Sequence, residues 1–246
     1  MAEKKTAETL LSLKAVETRI GPYHILHGVD LDVPAGSATM LLGRNGAGKT
    51  TTVRTIMNLW RASAGTITFD GRDITTFDTP DVARLGIGYV PETMGIFADL
   101  TIAENMRLAA FSGTIDTQRL DRIFTMFPAI KRFWLARAGT LSGGQKQMLS
   151  IARAIIEPRR LLIIDEPTKG LAPAIVSNMV PIFRDLKQSG VTILMIEQNF
   201  AFANAIGDHV AVMDDGKVVH AGTMAELAGN EPVQRKLLGL SLSSHQ

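Results

Sequence analysis

The chain predicts an α/β fold in which a largely parallel core sheet is flanked by helices, preceded by an antiparallel β layer and interrupted by an inserted helical subdomain. Three observations carry this expectation. After Gln145, helix-period segments alternate with short, continuous apolar runs, the pattern of buried parallel strands joined by helical crossovers. A glycine-rich turn at 43–48 separates an apolar strand from an amphipathic helix. The stretch from Thr101 to Trp134 reads as mostly helical, with no strong strand. One domain over 8–240 is expected, with the helical subdomain at about 93–157 and flexible ends at 1–7 and 241–246.

The elements follow in order. Leu10 to Ile20 and Ile25 to Val33 carry alternating or β-branched apolar residues on either side of the turn-forming Gly21-Pro22, and so read as two strands. Ala38 to Leu42 is a short apolar strand. From Lys49 to Trp60, the residues Val53, Ile56, Met57 and Trp60 recur at helical spacing. Thr101 and Glu104 form a capping box ahead of Met106 and Leu108. Helices are expected over Gln145–Ile156 and Ala174–Gln188, strands over Leu161–Ile164 and Val191–Ile196, and a hairpin around Asp214 to Gly216. No internal repeat or low-complexity segment is present.

Composition narrows the class. Hydrophobic residues make up 46% of 246, enough for a sizeable core. Lys plus Arg number 26 against 24 acids, and the basic residues cluster only in pairs such as Lys131-Arg132, so nucleic acid is not the expected partner. There is no cysteine, which excludes disulfides and thiolate metal sites and fits a reducing compartment such as cytosol. No apolar run approaches the roughly 18 residues that span a bilayer, and Met1 to Lys14 lacks the apolar segment of a signal peptide. Work at a membrane would need another protein as anchor.

Gly43-Arg44-Asn45-Gly46-Ala47-Gly48-Lys49-Thr50 fits the phosphate-binding loop pattern in the strand-to-helix context that the pattern requires, with Thr51 continuing the helix. Glycines let the backbone curl so that successive N–H groups face phosphate oxygens, and the helix N-terminus adds partial positive charge. Lys49 is then placed for the β- and γ-phosphates of ATP, and the Thr50 hydroxyl for Mg²⁺. An ordinary glycine-rich turn would match by accident in roughly 1% of chains this long. The loop alone does not separate kinases, GTPases, helicases and transporter ATPases.

Two further segments refine the reading. Leu161 to Ile164 ends in Asp165-Glu166, two carboxylates at the C-terminal edge of the sheet, where α/β folds bind ligands. Asp165 is the candidate for holding Mg²⁺, and Glu166 for orienting or deprotonating the attacking water. Taken alone, such a pair could be a plain helix cap. Leu141-Ser142-Gly143-Gly144-Gln145 opens a helix whose positions Met148, Ile151, Ala152 and Ile155 face one way. Its exposed N-terminus and the Ser142 hydroxyl could bind an anion, or Ser142 could simply cap the helix.

Together and in this order, the three motifs resemble the ABC ATPase family, whose own signature is the Leu-Ser-Gly-Gly-Gln segment. The resemblance covers nearly the whole chain. It implies that Ser142, Gly143, Gly144 and Gln145 of one subunit close over ATP held by the phosphate loop of another, so that a dimer is the catalytic unit. The family's usual glutamine after the Tyr89-Val90-Pro91 strand is here Glu92, a carboxylate able to approach Mg²⁺, and its switch histidine is replaced by Gln198, which can hydrogen-bond a phosphate but carries no proton. The segment after Glu166, Pro167 to Pro173, lacks the family's common aspartate.

These departures, Val-Pro-Glu, Gly-Leu-Ala-Pro and Glu-Gln-Asn, resemble the LivF-type ATP-binding subunit of branched-chain amino acid importers. That branch implies a second ABC ATPase subunit, either a paralogue or a second copy, two membrane permease subunits, and indirectly a periplasmic solute-binding protein. It implies a peripheral position on the cytoplasmic face of the inner membrane. Because Ile20 holds the family's usual aromatic position, either Tyr23 stacks on the adenine or its ring is simple surface packing in the Gly-Pro turn. Met94 to Phe97 either helps receive a permease helix or is buried within the domain. The competing function is a soluble ABC ATPase such as a component of an iron–sulfur assembly scaffold. The interval from Lys49 to Leu141 is too short for a repair protein's coiled coil, and a small-molecule kinase leaves Leu141 to Gln145 unexplained.

Overall fold

A computed structural model describes residues 8–239, so the expected flexible ends at 1–7 and 241–246 lie outside the described residues. Among the described residues ten strands run in chain order as β1 (Thr9–Ile20), β2 (Tyr23–Pro34), β3 (Ala38–Gly43), β4 (Ala62–Phe69), β5 (Arg72–Asp73), β6 (Ile87–Val90), β7 (Leu161–Asp165), β8 (Thr192–Ile196), β9 (His209–Asp214) and β10 (Lys217–Thr223). The helices are α1 (Lys49–Ile56), α2 (Thr79–Arg84), α3 (Ile102–Ala109), α4 (Thr117–Met126), α5 (Pro128–Arg132), α6 (Gly143–Ala154), α7 (Pro173–Gln188), α8 (Phe200–Ile206), α9 (Met224–Ala228) and α10 (Glu231–Leu238).

Two sheets form. The first is antiparallel, in the order β2-β1-β4-β5. The second runs β10-β9-β3-β8-β7-β6, with every neighbouring pair parallel except the edge hairpin β9–β10. The expected antiparallel layer therefore holds two strands more than the two read from the sequence. β4 escaped notice because most of its first half is exposed and its ladder with β1 shifts register between Lys14 and Glu17.

The parallel strands are buried on both faces, which accounts for their unbroken apolar runs. Side chains alternate between two cores. Met40 and Leu42 of β3, Leu162 and Ile164 of β7, and Ile193 and Met195 of β8 pack toward the helical side with Met106, Phe127, Leu149 and Phe183. Their neighbours Leu41, Leu161, Ile163, Leu194 and Ile196 face the antiparallel sheet and α1, beside Leu13, Leu26, Val53 and Ile56.

Helix boundaries follow from local chemistry. The first helix stops at Ile56, earlier than Trp60, because Asn58 adopts φ 53° and its side chain donates to the Ile74 carbonyl. The capping box of Thr101 and Glu104 is formed in both directions at α3. In α6 the buried face is wider than expected: Leu149, Ile151 and Ala152 are fully buried, whereas Met148 and Ile155 are only partly so.

Candidate active site

Register in the parallel sheet sets the site. Ile196 of β8 lies opposite Leu41 of β3 on one side and Asp165 of β7 on the other. The loops leaving β3, β7 and β8 therefore emerge at one level, and Glu92 follows two residues after β6 on the same edge. A glycine is obligatory where the phosphate loop leaves β3. Gly43 has φ 140°, and a β-carbon there would lie 2.3 Å from the Met213 carbonyl oxygen. At the far end Gly48 takes φ 98° as the N-cap of α1, and no side chain caps that helix. The first-turn N–H groups, left without intrahelical partners, are available to a ligand in the cavity.

That cavity has a volume of about 370 Å³ and is lined by Ile25, Asn45, Gly46, Gly48, Lys49, Thr50, Thr51, Glu92, Glu166 and Lys169. Six of the nine expected residues at 43–51 thus meet there with Glu92 and Glu166. Gly43 and Arg44 instead line a neighbouring cavity of about 290 Å³ with Glu197, Gln198 and Phe200; Asn45 belongs to both. The Ala47 side chain packs into the core below the antiparallel sheet. Tyr23, the expected adenine partner, is 69% exposed at the start of β2 and does not line the cavity; Ile25, two residues along the same strand face, does.

The polar network is closely coupled. Lys49 donates to the carbonyls of Gly43 and Arg44 at 2.8 and 2.9 Å. Burial lowers its pKa, opposed by the nearby Glu166 and Asp165. Thr50 donates to Asp165 Oδ1 at 3.2 Å. Asp165 is fully buried and its Oδ2 has no hydrogen-bond partner. Burial raises its pKa to about 6, with Glu166 and Glu92 adding to the rise and the Thr50 hydrogen bond opposing it. Gln198 Nε2 donates both to Glu166 Oε1 at 2.6 Å and to Asn45 Oδ1 at 2.9 Å, joining the loops after β7, β8 and β3.

Three participants were not singled out from the sequence. Ile25 forms part of the wall. Lys169 pairs with Glu92 at 2.5 Å and with Glu166 at 3.4 Å. Glu197 is buried and accepts the backbone N–H groups of Thr168, Gln198 and Asn199, bracing the loops after β7 and β8. Burial lifts its pKa, and those hydrogen bonds pull the other way.

Thr50, Asp165 and Glu92 offer only oxygen donors, and the unpartnered buried oxygen of Asp165 is an acceptor without a donor. This set suits a hard divalent cation such as Mg²⁺. The second glycine motif lies apart. Ser142 and Gln145 form a reciprocal capping box at the start of α6, at 2.9 and 3.4 Å, so the cap read as one option from the sequence is present. Ser142 and Gly143 are exposed. Among the described residues no hydrogen bond or ion pair joins 142–145 to 43–50.

The loop after Glu92 is pinned to α6. Ser150 Oγ donates to the Met94 carbonyl at 2.7 Å, Arg153 donates to that of Gly95, and the Arg153 guanidinium lies 5.2 Å from the Phe97 ring centre. Phe97 is 49% exposed, whereas Ile96 packs partly on the core. Burial within the domain therefore holds for Ile96 and not for Phe97. Among the described residues no helix is long and apolar enough to cross a membrane.

Comparison with known proteins agrees with this geometry. The family model described as ABC transporter matches residues 26–169. A high-affinity branched-chain amino acid transport ATP-binding protein, BraG of Pseudomonas aeruginosa, is 35% identical over 94% of this chain and its own full length. A probable branched-chain amino acid transport ATP-binding protein, LivF of Archaeoglobus fulgidus, is 36% identical over 88% of this chain and 93% of its own. A solved structure described as the ATP-binding subunit of an ABC transporter superposes with a TM-score of 0.79 at 29% identity, covering 95% of this chain and 96% of that one. The chain belongs to the ABC transporter family and is one of its ATPases.

Proposed function

We propose that this ATPase powers an importer of branched-chain or other hydrophobic amino acids, docked on separate permease subunits at the cytoplasmic face of the membrane. The single observation that supports a dimeric mechanism is the separation within one chain of an assembled phosphate cavity from an exposed Ser142-Gly143 helix start. A second ATPase subunit, the same chain or a paralogue, supplies the missing signature across the interface. The names of the BraG and LivF relatives support the cargo. A periplasmic solute-binding protein would deliver that cargo from the other side.

In this reading the phosphate-loop amides and Lys49 hold the β- and γ-phosphates, Lys49 exchanging its two loop carbonyls for phosphate oxygens. Thr50, Asp165 and Glu92 would hold Mg²⁺, which neutralises phosphate charge when bound. Glu166 orients and deprotonates the attacking water, and Gln198 keeps its carboxylate aimed. Ser142 and Gly144 from the partner contact the γ-phosphate, so ATP favours the closed dimer and hydrolysis releases it. The adenine rests near Ile25. The exposed Phe97, on the loop that follows Glu92 and pinned to α6, would receive a permease helix. Affinity purification from gently solubilised membranes tests the proposal. Co-purification of two permeases and a sister ATPase is expected; recovery of soluble iron–sulfur scaffold proteins alone would replace it.

A further inference from the structure

Lys169 is a lysine at the phosphate end of the cavity whose role the motifs leave unexplained. Its ammonium lies 2.5 Å from Glu92 Oε1 and 3.4 Å from Glu166 Oε2. The backbone holds it there, since the Lys169 N–H donates to the Glu166 carbonyl in the turn that follows β7. The cavity's other cation, Lys49, is engaged with carbonyls of its own loop. One ammonium thus bridges two carboxylates, and one of them, Glu92, lies 77 residues away from Lys169 in the chain. Glu166 is held from both sides, by Lys169 on Oε2 and by Gln198 on Oε1.

We infer that Lys169 is a positioning cation that occupies Glu92 in the metal-free site, competes with the divalent ion for that carboxylate, and stays on Glu166 once Glu92 is released. The inference rests on the nucleotide-site reading given above. Two physical effects act in the same direction: the metal must displace an ammonium from Glu92, and it must approach a fixed positive charge. Lys169 therefore sets how much Mg²⁺ the site needs. With its side chain 59% exposed, the effect is the size of an ordinary exposed ion pair, not of a buried one.

The test is a Mg²⁺ titration of the full chain with a fluorescent, non-hydrolysable ATP analogue held below the protein concentration. Lys169→Met should lower the Mg²⁺ concentration for half-maximal signal by about two- to fivefold, the worth of one exposed ion pair. Lys169→Arg should keep the wild-type value, which separates charge from mere bulk. In a Glu92→Gln background the Lys169→Met effect should shrink, because no ammonium is left to displace from Glu92 and only the fixed charge beside Glu166 remains. An unchanged half-point in Lys169→Met, or an effect undiminished without Glu92, overturns the inference. Failure of the wild-type chain to bind the analogue, or binding untouched by Lys49→Ala, would overturn the nucleotide-site reading instead.

Discussion

Glu166 sits at φ 49°, a left-handed conformation that costs a non-glycine residue of the order of 1 kcal/mol, and it is kept there by its N–H bond to the Ile196 carbonyl. This backbone conformation sets the carboxylate between Gln198 and Lys169. Glu166→Gln should therefore cut hydrolysis by about 10²–10⁴-fold, the usual worth of a general base, with nucleotide binding retained. Gln198→Ala should cost less, because the amide only aims the carboxylate and Lys169 still holds the other oxygen; equal losses in steady-state turnover would contradict that division of labour. Asp165 makes a different prediction. Burial raises its pKa from 3.8 to about 6, so the folded chain binds this proton more tightly than the unfolded chain does. The contribution to stability is whole below about pH 4, is lost as pH rises toward 6, and stays lost above. Asp165→Asn should consequently melt higher than wild type at pH 8 in metal-free buffer, by roughly 2–4 °C for each kcal/mol of charge burial relieved. The gap should close by pH 4; a variant that melts lower throughout would show that the buried charge is not the destabilising element.

At the scale of elements, the proposed function gives α6 two roles at one end. The Ser142–Gln145 box satisfies orphan amides of the helix start, and Ser142 and Gly143 remain exposed, as contact with a partner would require. Ser142→Ala should lower the melting temperature only as a lost cap does, about 1 kcal/mol or some 2–4 °C, while turnover falls out of proportion to that loss. Thermal melting and ATPase assays on the same preparation separate the two, and a fall in turnover no larger than the stability loss would leave Ser142 a cap alone. Elements of this kind are readable in advance because their causes are local. The phosphate loop is specified by glycine at positions such as Gly43 where no β-carbon fits, and the α3 cap by Thr101 and Glu104 three residues apart. β4 is different. Its Ala62–Phe69 stretch gains strand character from the β1 ladder, a partner more than forty residues away. Lys169 was equally hidden, since its meaning lies in a pair with Glu92 that exists only after β6 and β7 align. Tyr23 and Ile25 share a strand face, and choosing between them needed the position of the loop opposite, not the order of residues.

For the whole molecule the deciding feature is that the nucleotide cavity is assembled in one chain and its expected closing partner is not. Every residue lining the cavity comes from the phosphate loop, α1, β2 and the loops after β6 and β7, with none from α6. An enzyme complete in one chain would survive only if both motifs on that chain were intact. A symmetric head-to-tail dimer behaves otherwise, because each site combines one subunit's phosphate loop with the other's signature. Lys49→Ala disables the first half and Ser142→Arg the second, the arginine being too large to admit a phosphate against the helix start. Each variant alone should be inactive. Mixed in equal amounts, half of the dimers are hybrids with one intact site of two, so about a quarter of wild-type turnover should return. ATPase rates before and after mixing read this directly. Recovery near that fraction would make the partner a second copy of this chain, whereas a mixture as dead as its components, revived only by added sister ATPase, would make the partner a different subunit. Retention of full turnover by Ser142→Arg on its own would remove the signature from the reaction, and with it the need for a dimer.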